Sequence, residues 1–340
     1  MIKSGRERIN SALVINKKSQ PKESIIYNTY WQFAAKRQEI FMRRFNECPL
    51  PWTDDPILSQ YKFTNVYRAS DRVSQYLIRN VIYDGSQEQN EIFFRIILFK
   101  TFNRISTWEF LKEQLGEISY KDFSFNRYNQ LLTELMKNGI RIYSAAYIMA
   151  SGRSTFGFER KHQNHLRLLE KMVKDRVPYS LESCKTMQDA YDLLLAYPTI
   201  GEFLAYQYVI DINYSELTTF SEMDFVKAGP GARNGISKCF ESFGDYSFED
   251  IISLMADRQS VEFSKLGLNF SDLWGRSLQL IDCQNIFCEV DKYSRVAYPD
   301  ITGISNRKRI KQKYTSPNEL PIDLFFPPKW NINHLIQKVK

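Results

Sequence analysis

The chain reads as an all-α protein in which two helical layers enclose a cleft. Three observations predict that class. Apolar residues recur at the helical period in one segment after another, and no segment alternates apolar and polar residues as a half-buried strand would. Glycine and proline, 14 and 12 among 340 residues, are sparse enough for long helices, and a hydrophobic fraction of 43% suffices for a substantial core. No internal repeat is visible.

Taken in order, residues 1–26 are polar and basic and are expected to be loosely ordered. A long helix is predicted from Tyr27, with Tyr30, Phe33, Ala34, Ile40, Phe41 and Phe45 on its apolar face and Cys48-Pro49-Leu50-Pro51 at its end, because proline cannot continue a helix. Val66, Ala69, Val73, Tyr76 and Leu77 place a second helix over about Tyr67–Ile82, and Glu91–Phe102 is apolar enough to be buried on all sides. Trp108–Leu115, Arg127–Lys137, Ile140–Ala150 and Glu159–Lys174 read as further helices, and another carries the segment 282–293. The helical body is thus expected over 27–300, with a basic C-terminal tail over 301–340.

The stretch Met187–Gly235 organises this body. Met187, Ala190, Tyr191, Leu194 and Leu195 form one helical stripe, Tyr197-Pro198-Thr199-Ile200-Gly201 breaks it, and Leu204, Ala205, Tyr208, Val209 and Ile212 form the next. The result is a hairpin of helices over 186–212. Its second helix starts at the turn, where free N–H groups and the positive dipole end can hold a phosphate. Gly201 is expected to supply a left-handed backbone or a close phosphate approach.

Composition excludes several classes. No apolar run approaches the roughly 20 residues of a membrane helix, and the N-terminus lacks the apolar stretch of a signal peptide. A cytoplasmic, monomeric protein without membrane contact is expected. Five cysteines contain no Cys-x-x-Cys pair, so neither a metal site nor a disulfide framework nor any cofactor is indicated. His162 and His165, three apart, lack a third ligand and are expected on an exposed surface. The net charge of +7 is concentrated at the ends: residues 301–340 hold eight Lys/Arg against two Asp/Glu, and residues 1–47 hold ten against four. Basic ends on an acidic middle suit capture of a polyanion such as DNA, or are solvated tails.

The hairpin turn resembles that of the helix-hairpin-helix DNA glycosylases, which reads Leu-Pro-Gly-(Ile/Val)-Gly; here Tyr197 replaces the leucine and Thr199 the middle glycine. That family's catalytic aspartate follows the last hairpin glycine by about twenty residues, and Asp224 lies 23 beyond Gly201. The family's Schiff-base lysine position holds Phe203, which implies a monofunctional reaction. The block Pro51–Arg72, the run Asp224–Arg233 and the run Asp282–Tyr293 narrow the resemblance to the alpha-glutamyl/putrescinyl thymine pyrophosphorylase family. This helical family is allied to the glycosylases and associated with hypermodified phage DNA bases. It includes the helical domain of hydroxymethyluracil DNA kinases and an anti-phage glycosylase acting on glucosylated hydroxymethylcytosine. The resemblance covers about residues 27–300.

It implies double-stranded DNA with modified bases as the partner, and excision of a bulky modified pyrimidine as the expected reaction. Asp224 would stabilise positive charge on the sugar and orient water, or it merely caps a helix. Asp211 is the competing carboxylate; its neighbour Gln207, four residues earlier, favours a structural place on the helix face. Asn65, Arg68, Asp71, Gln284, Asn285, Glu289 and Lys292 are the candidate base-contacting groups. For Asn285, Glu289 and Lys292 the alternative is an internal polar network, and for Arg68 and Asp71 it is an ion pair along one helix. Tyr197, Thr199, Gly201, Gly229, Gly231 and Arg233 are the candidate DNA-binding positions, with Gly229-Pro230-Gly231-Ala232 as either a phosphate approach or a tight loop demanded by packing. Trp52, Tyr67 and Tyr197 are the aromatics considered for stacking on a base. Two other outcomes stay open. One is a transferase or pyrophosphorylase acting on activated hydroxymethyluracil, which the lack of a Gly-rich nucleotide loop disfavours for the activating step; the other is a non-catalytic modified-DNA-binding module.

Overall fold

The structure is a computed structural model and describes residues 17–315 and 321–338; most of the basic N-terminal segment lies outside the described residues. The all-α expectation holds. Helix α1 (Tyr27–Phe45) is followed by α2 (Pro56–Gln60), whose N-terminus is capped by Asp55 accepting from the amides of Ile57 and Leu58. Then come α3 (Arg72–Leu77), α4 (Gln89–Phe102), α5 (Ile105–Leu115), α6 (Phe125–Lys137), α7 (Arg153–Phe156), α8 (Lys161–Lys174) and α9 (Val177–Ser183). The hairpin is α10 (Met187–Leu195) and α11 (Glu202–Ile212), and α12 (Pro230–Cys239), α13 (Phe248–Lys265) and α14 (Leu280–Ala297) complete the set. Strand signals too short for periodicity to reveal form one antiparallel pair, β1 (Lys22–Glu23) with β2 (Phe240–Ser242).

Two groups of helices share the core. Helices α1, α12, α13 and α14 pack together, while α4 packs on α8, α9, α5 and the hairpin helix α11. The tightest approach is α12 on α14: a Cβ on Gly235 would lie 2.1 Å from the Phe287 carbonyl oxygen, so only glycine lets the two backbones come so close. α4 is buried along nearly its whole length, as its apolar run requires.

The segment predicted as one helix from Tyr67 is broken in three. A 3₁₀ turn (Arg68–Ser70) leads into α3, which ends in a π turn (Ile78–Ile82). The backbone is extended at Tyr67 and Asp71 on either side of the 3₁₀ turn, and side chains hold it there: Asp282 Oδ1 accepts the Arg68 amide at 2.8 Å and Asp71 Oδ1 accepts the Asn65 amide at 2.8 Å. The stretch 140–150, also predicted helical, is irregular; Gly139 and Tyr147 take left-handed φ values of 72° and 56° and end the helical path. Trp274 lies in the loop before α14, at φ 49°.

His162 and His165 are buried, not exposed. His162 Nε2 bonds Asn129 and Thr133, while His165 bonds the Tyr143 hydroxyl through Nδ1 and the Ala150 carbonyl through Nε2. They tie α6 and the irregular loop to α8. The C-terminal residues also fold back. Lys62 donates its amide to the Gln312 carbonyl and Tyr314 its amide to Gln60. Phe326 is buried, and Arg276 lies over the Trp330 ring at 3.7 Å.

Candidate functional site

On α11, Phe203, Gln207 and Asp211 repeat every four residues and form one stripe at the seam between the helix groups. Asp211 is fully buried, with Arg68 Nη1 at 2.8 Å from one carboxylate oxygen and Lys100 Nζ at 3.1 Å from the other. Both contacts sit off the hydrogen-bond axis. Arg68 Nε donates to Gln207 Oε1 at 3.1 Å and its Nη1 to the Tyr214 hydroxyl at 3.1 Å. Lys100 also donates to Asn103 at 2.8 Å, and burial lowers its pKa to about 8 against the opposing pull of Asp211. Two cations thus face one carboxylate in a water-poor seam, leaving a surplus positive charge.

Above them lies an aromatic pair. Tyr147 stacks on Phe203 with ring centroids 5.7 Å apart and planes 15° apart, and Lys100 Nζ sits 4.4 Å from the Tyr147 centroid. Gly229 abuts Phe203, since a Cβ there would meet its ring at 2.9 Å, and Gln284 Oε1 would lie 3.7 Å from the same Cβ. That Gln284 oxygen is buried with no hydrogen-bond partner among the described residues. Two bulky residues around this seam hold left-handed backbone, Tyr147 (φ 56°) and Thr199 (φ 70°), a strained state for a ring-bearing and a β-branched residue alike.

The structure separates the candidate base-contacting residues into two groups. Arg68 and Gln284 line the seam. Asn65, Asp71, Asn285, Glu289 and Lys292 form a network that holds the loop before Arg68. Asn285 Nδ2 donates to the Asn65 carbonyl at 3.0 Å, Glu289 accepts the Thr64 amide at 3.0 Å, and Lys292 pairs with Glu289 at 2.7 Å. The alternative of an Arg68–Asp71 ion pair along one helix is not met either: Arg68 faces Asp211, and Asp71 accepts the Asn65 amide. Burial raises the pKa of Asp71 to about 6 and that of Asp282 to about 7.

Of the candidate DNA-binding positions, the left-handed residue of the turn is Thr199, not Gly201. Gly201 is extended at φ −86°, with nothing within 4 Å of an added Cβ. The Thr199 hydroxyl is buried without a partner among the described residues, and the Tyr197 hydroxyl donates to Asp175 at 3.0 Å. The turn and the Gly229–Gly231 segment converge, since Arg233 and Lys227 lie 3.7 and 3.9 Å from Glu202 at the start of α11. Gly231 faces Cys288, 2.9 Å from where its Cβ would be, so packing is reason enough for that glycine. Asp224 stands exposed in the turn before α12. Of the aromatics considered for stacking, Tyr67 is buried and donates to the Arg276 carbonyl at 2.8 Å.

Lys100, Tyr147 and Phe203 escaped the sequence reading as site residues. Lys100 carried a signal: a cation on a helix buried along nearly its whole length must find a buried partner. A surface hollow of about 420 Å³ is lined by Glu88, Glu91 and Glu170 with Lys121, and this net-negative lining suits no polyanion.

The comparisons with known proteins bear on what this seam serves. The family model described as the helical domain of 5-hmdU DNA kinase matches residues 24–303. The chain is 25% identical, over 286 residues, to a 5-hmdU DNA kinase of Bacillus phage SP10, covering 79% of this chain and 45% of that protein. It therefore spans about half the length of the curated relative. No solved structure matches it significantly. These findings overturn the glycosylase expectation: they name a kinase, which transfers a group, where the hairpin spacing had suggested a hydrolase that cuts the glycosidic bond. The role given to Asp224 as a glycosylase carboxylate falls with that reading.

Proposed function

Because the chain belongs to the family of the helical domain of 5-hmdU DNA kinase, we propose that it serves a DNA base-modification enzyme, binding DNA that carries hydroxymethyluracil and holding that base for reaction at its 5-substituent. The family match over 24–303 carries this reading, and the seam supports it chemically. A base inside a duplex cannot reach groups as buried as Arg68 and Lys100, so it must leave the stack. Phe203 offers a stacking face for an unstacked pyrimidine. The Gln284 amide and the Arg68 guanidinium offer an acceptor and donors for its polar edge, and the surplus cation suits an oxygen-rich or anionic 5-substituent. The converging starts of α11 and α12 would take the flanking phosphates, with Lys227 and Arg233 beside them.

The test uses duplexes identical but for one base: thymine, hydroxymethyluracil or hydroxymethylcytosine. Fluorescence anisotropy should show hydroxymethyluracil bound about tenfold more tightly than thymine, the worth of one or two hydrogen bonds. Mass spectrometry of the nucleosides after incubation with ATP asks whether the chain itself modifies the base. Equal affinity for all three duplexes together with unchanged nucleosides would overturn the proposal. Discrimination with unchanged nucleosides would assign this chain the recognition step.

A further inference from the structure

Tyr147 is held as a ligand would be held. Its ring lies parallel to Phe203 and its face meets the Lys100 ammonium. It reaches this place from a strained backbone, φ 56°, so the segment is bent to insert it. The loop on either side is anchored: the Ser144 amide donates to the Phe102 carbonyl at 2.8 Å, and His165 Nε2 binds the Ala150 carbonyl at 2.7 Å. Left-handed glycines stand beyond the anchors, Gly139 at φ 72° and Gly152 at φ 70°. Only the tip, residues 145–148, is left to move, and Ile148 there is 74% exposed.

We infer that Tyr147 is a removable occupant of a slot for a flipped pyrimidine, and that the tip withdraws when the base enters. A phenol and a pyrimidine are both flat six-membered rings with an oxygen at the rim. The base can therefore take over the stacking on Phe203 and the place beside the Lys100 ammonium without a change in the walls. The released loop relaxes its backbone as it leaves, and Ile148 moves with it toward the DNA, where an apolar side chain can fill the gap left in the stack. This inference rests on the reading that the chain binds DNA through an unstacked base.

The experiment compares the full chain with Tyr147→Gly, Tyr147→Phe and Phe203→Ala, using duplexes with one hydroxymethyluracil or one thymine, with melting curves to confirm folding. Tyr147→Gly empties the slot and suits the left-handed backbone. It should bind the modified duplex about three- to tenfold more tightly, because the competent state no longer has to displace the ring. Tyr147→Phe should match the wild type, and Phe203→Ala should weaken binding. If Tyr147→Gly weakens binding as much as Phe203→Ala, Tyr147 is a fixed wall that stacks on the base and the inference fails. Unchanged affinity in both variants also overturns it, even where the wild type still prefers the modified base. A wild type that does not distinguish the bases overturns the substrate reading instead, while the ranking of the variants on either duplex still judges the slot.

Discussion

Asp211 faces two buried cations with one negative charge, and that unequal arrangement makes the consequences of substitution unequal. Asp211→Asn leaves Arg68 and Lys100 facing each other in the seam without a counter-charge, and breaking such a buried pair from one side costs about 3–5 kcal/mol. Lys100→Met removes one cation and leaves Arg68 paired one to one, so it should cost much less, about 1 kcal/mol. Urea unfolding of the two variants checks the order, and equal losses would mean that Lys100 supports the fold as much as the carboxylate it faces. The histidines make a second prediction at this scale. Burial lowers the pKa of His165 to about 4 from an ordinary 6.5, so the folded state binds fewer protons than the unfolded chain between those values. Its contribution is complete above pH 6.5 and is lost as the pH falls through 4. The stability gap between wild type and His165→Gln should therefore be wider at pH 7 than at pH 5; a gap that widens on acidification would contradict a neutral buried imidazole.

The α12–α14 crossing shows what a helical element needs from its glycines. At Gly235 a Cβ would strike the Phe287 carbonyl at 2.1 Å, a backbone atom that cannot step aside, while at Gly231 its closest neighbour would be the Cys288 sulfur at 2.9 Å. Gly235→Ala should destabilise the fold by about 1–3 kcal/mol or more, and Gly231→Ala by less, because a side chain can turn away. Thermal melts of the pair test this, and a larger loss at Gly231 would mean the helices are not pinned at Gly235. The periodic elements were legible in the sequence because burial imposes the helical period on α1, α4 and the hairpin. The break at Arg68–Asp71 was not, because its cause is Asp282, more than two hundred residues away. The irregular loop over 140–150 carried an apolar helical pattern, since Ile142 and Met149 are buried, but its path is set by His165 and Phe102. At the site the same division holds. Arg68 and Gln284 could be singled out as polar groups among apolar neighbours, whereas Tyr147 and Phe203 look like any other core aromatics until the fold stacks them.

At the scale of the whole molecule, charge and chemistry are divided between regions. The groups proposed to read a base lie in the seam, while the basic run Arg307–Lys313 crosses the surface elsewhere. Its backbone is pinned by the bonds of Gln312 and Tyr314 to residues 60–62, and the Arg309 carbonyl accepts from Arg295 at 3.1 Å. Its side chains at 307, 308, 309, 311 and 313 remain exposed. A fixed, exposed row of cations can neutralise phosphates without first being ordered, so it should add affinity that is blind to sequence. Neutralising these five residues together should weaken binding to every duplex equally and flatten its salt dependence, by about 0.9 in the log–log slope for each phosphate that is no longer neutralised. The preference for hydroxymethyluracil over thymine should survive, because the seam is untouched. Anisotropy titrations across a salt series separate the two quantities. An unchanged slope would remove this strap from the DNA-binding surface, and a vanished base preference at constant slope would mean that the strap, not the seam, reads the base.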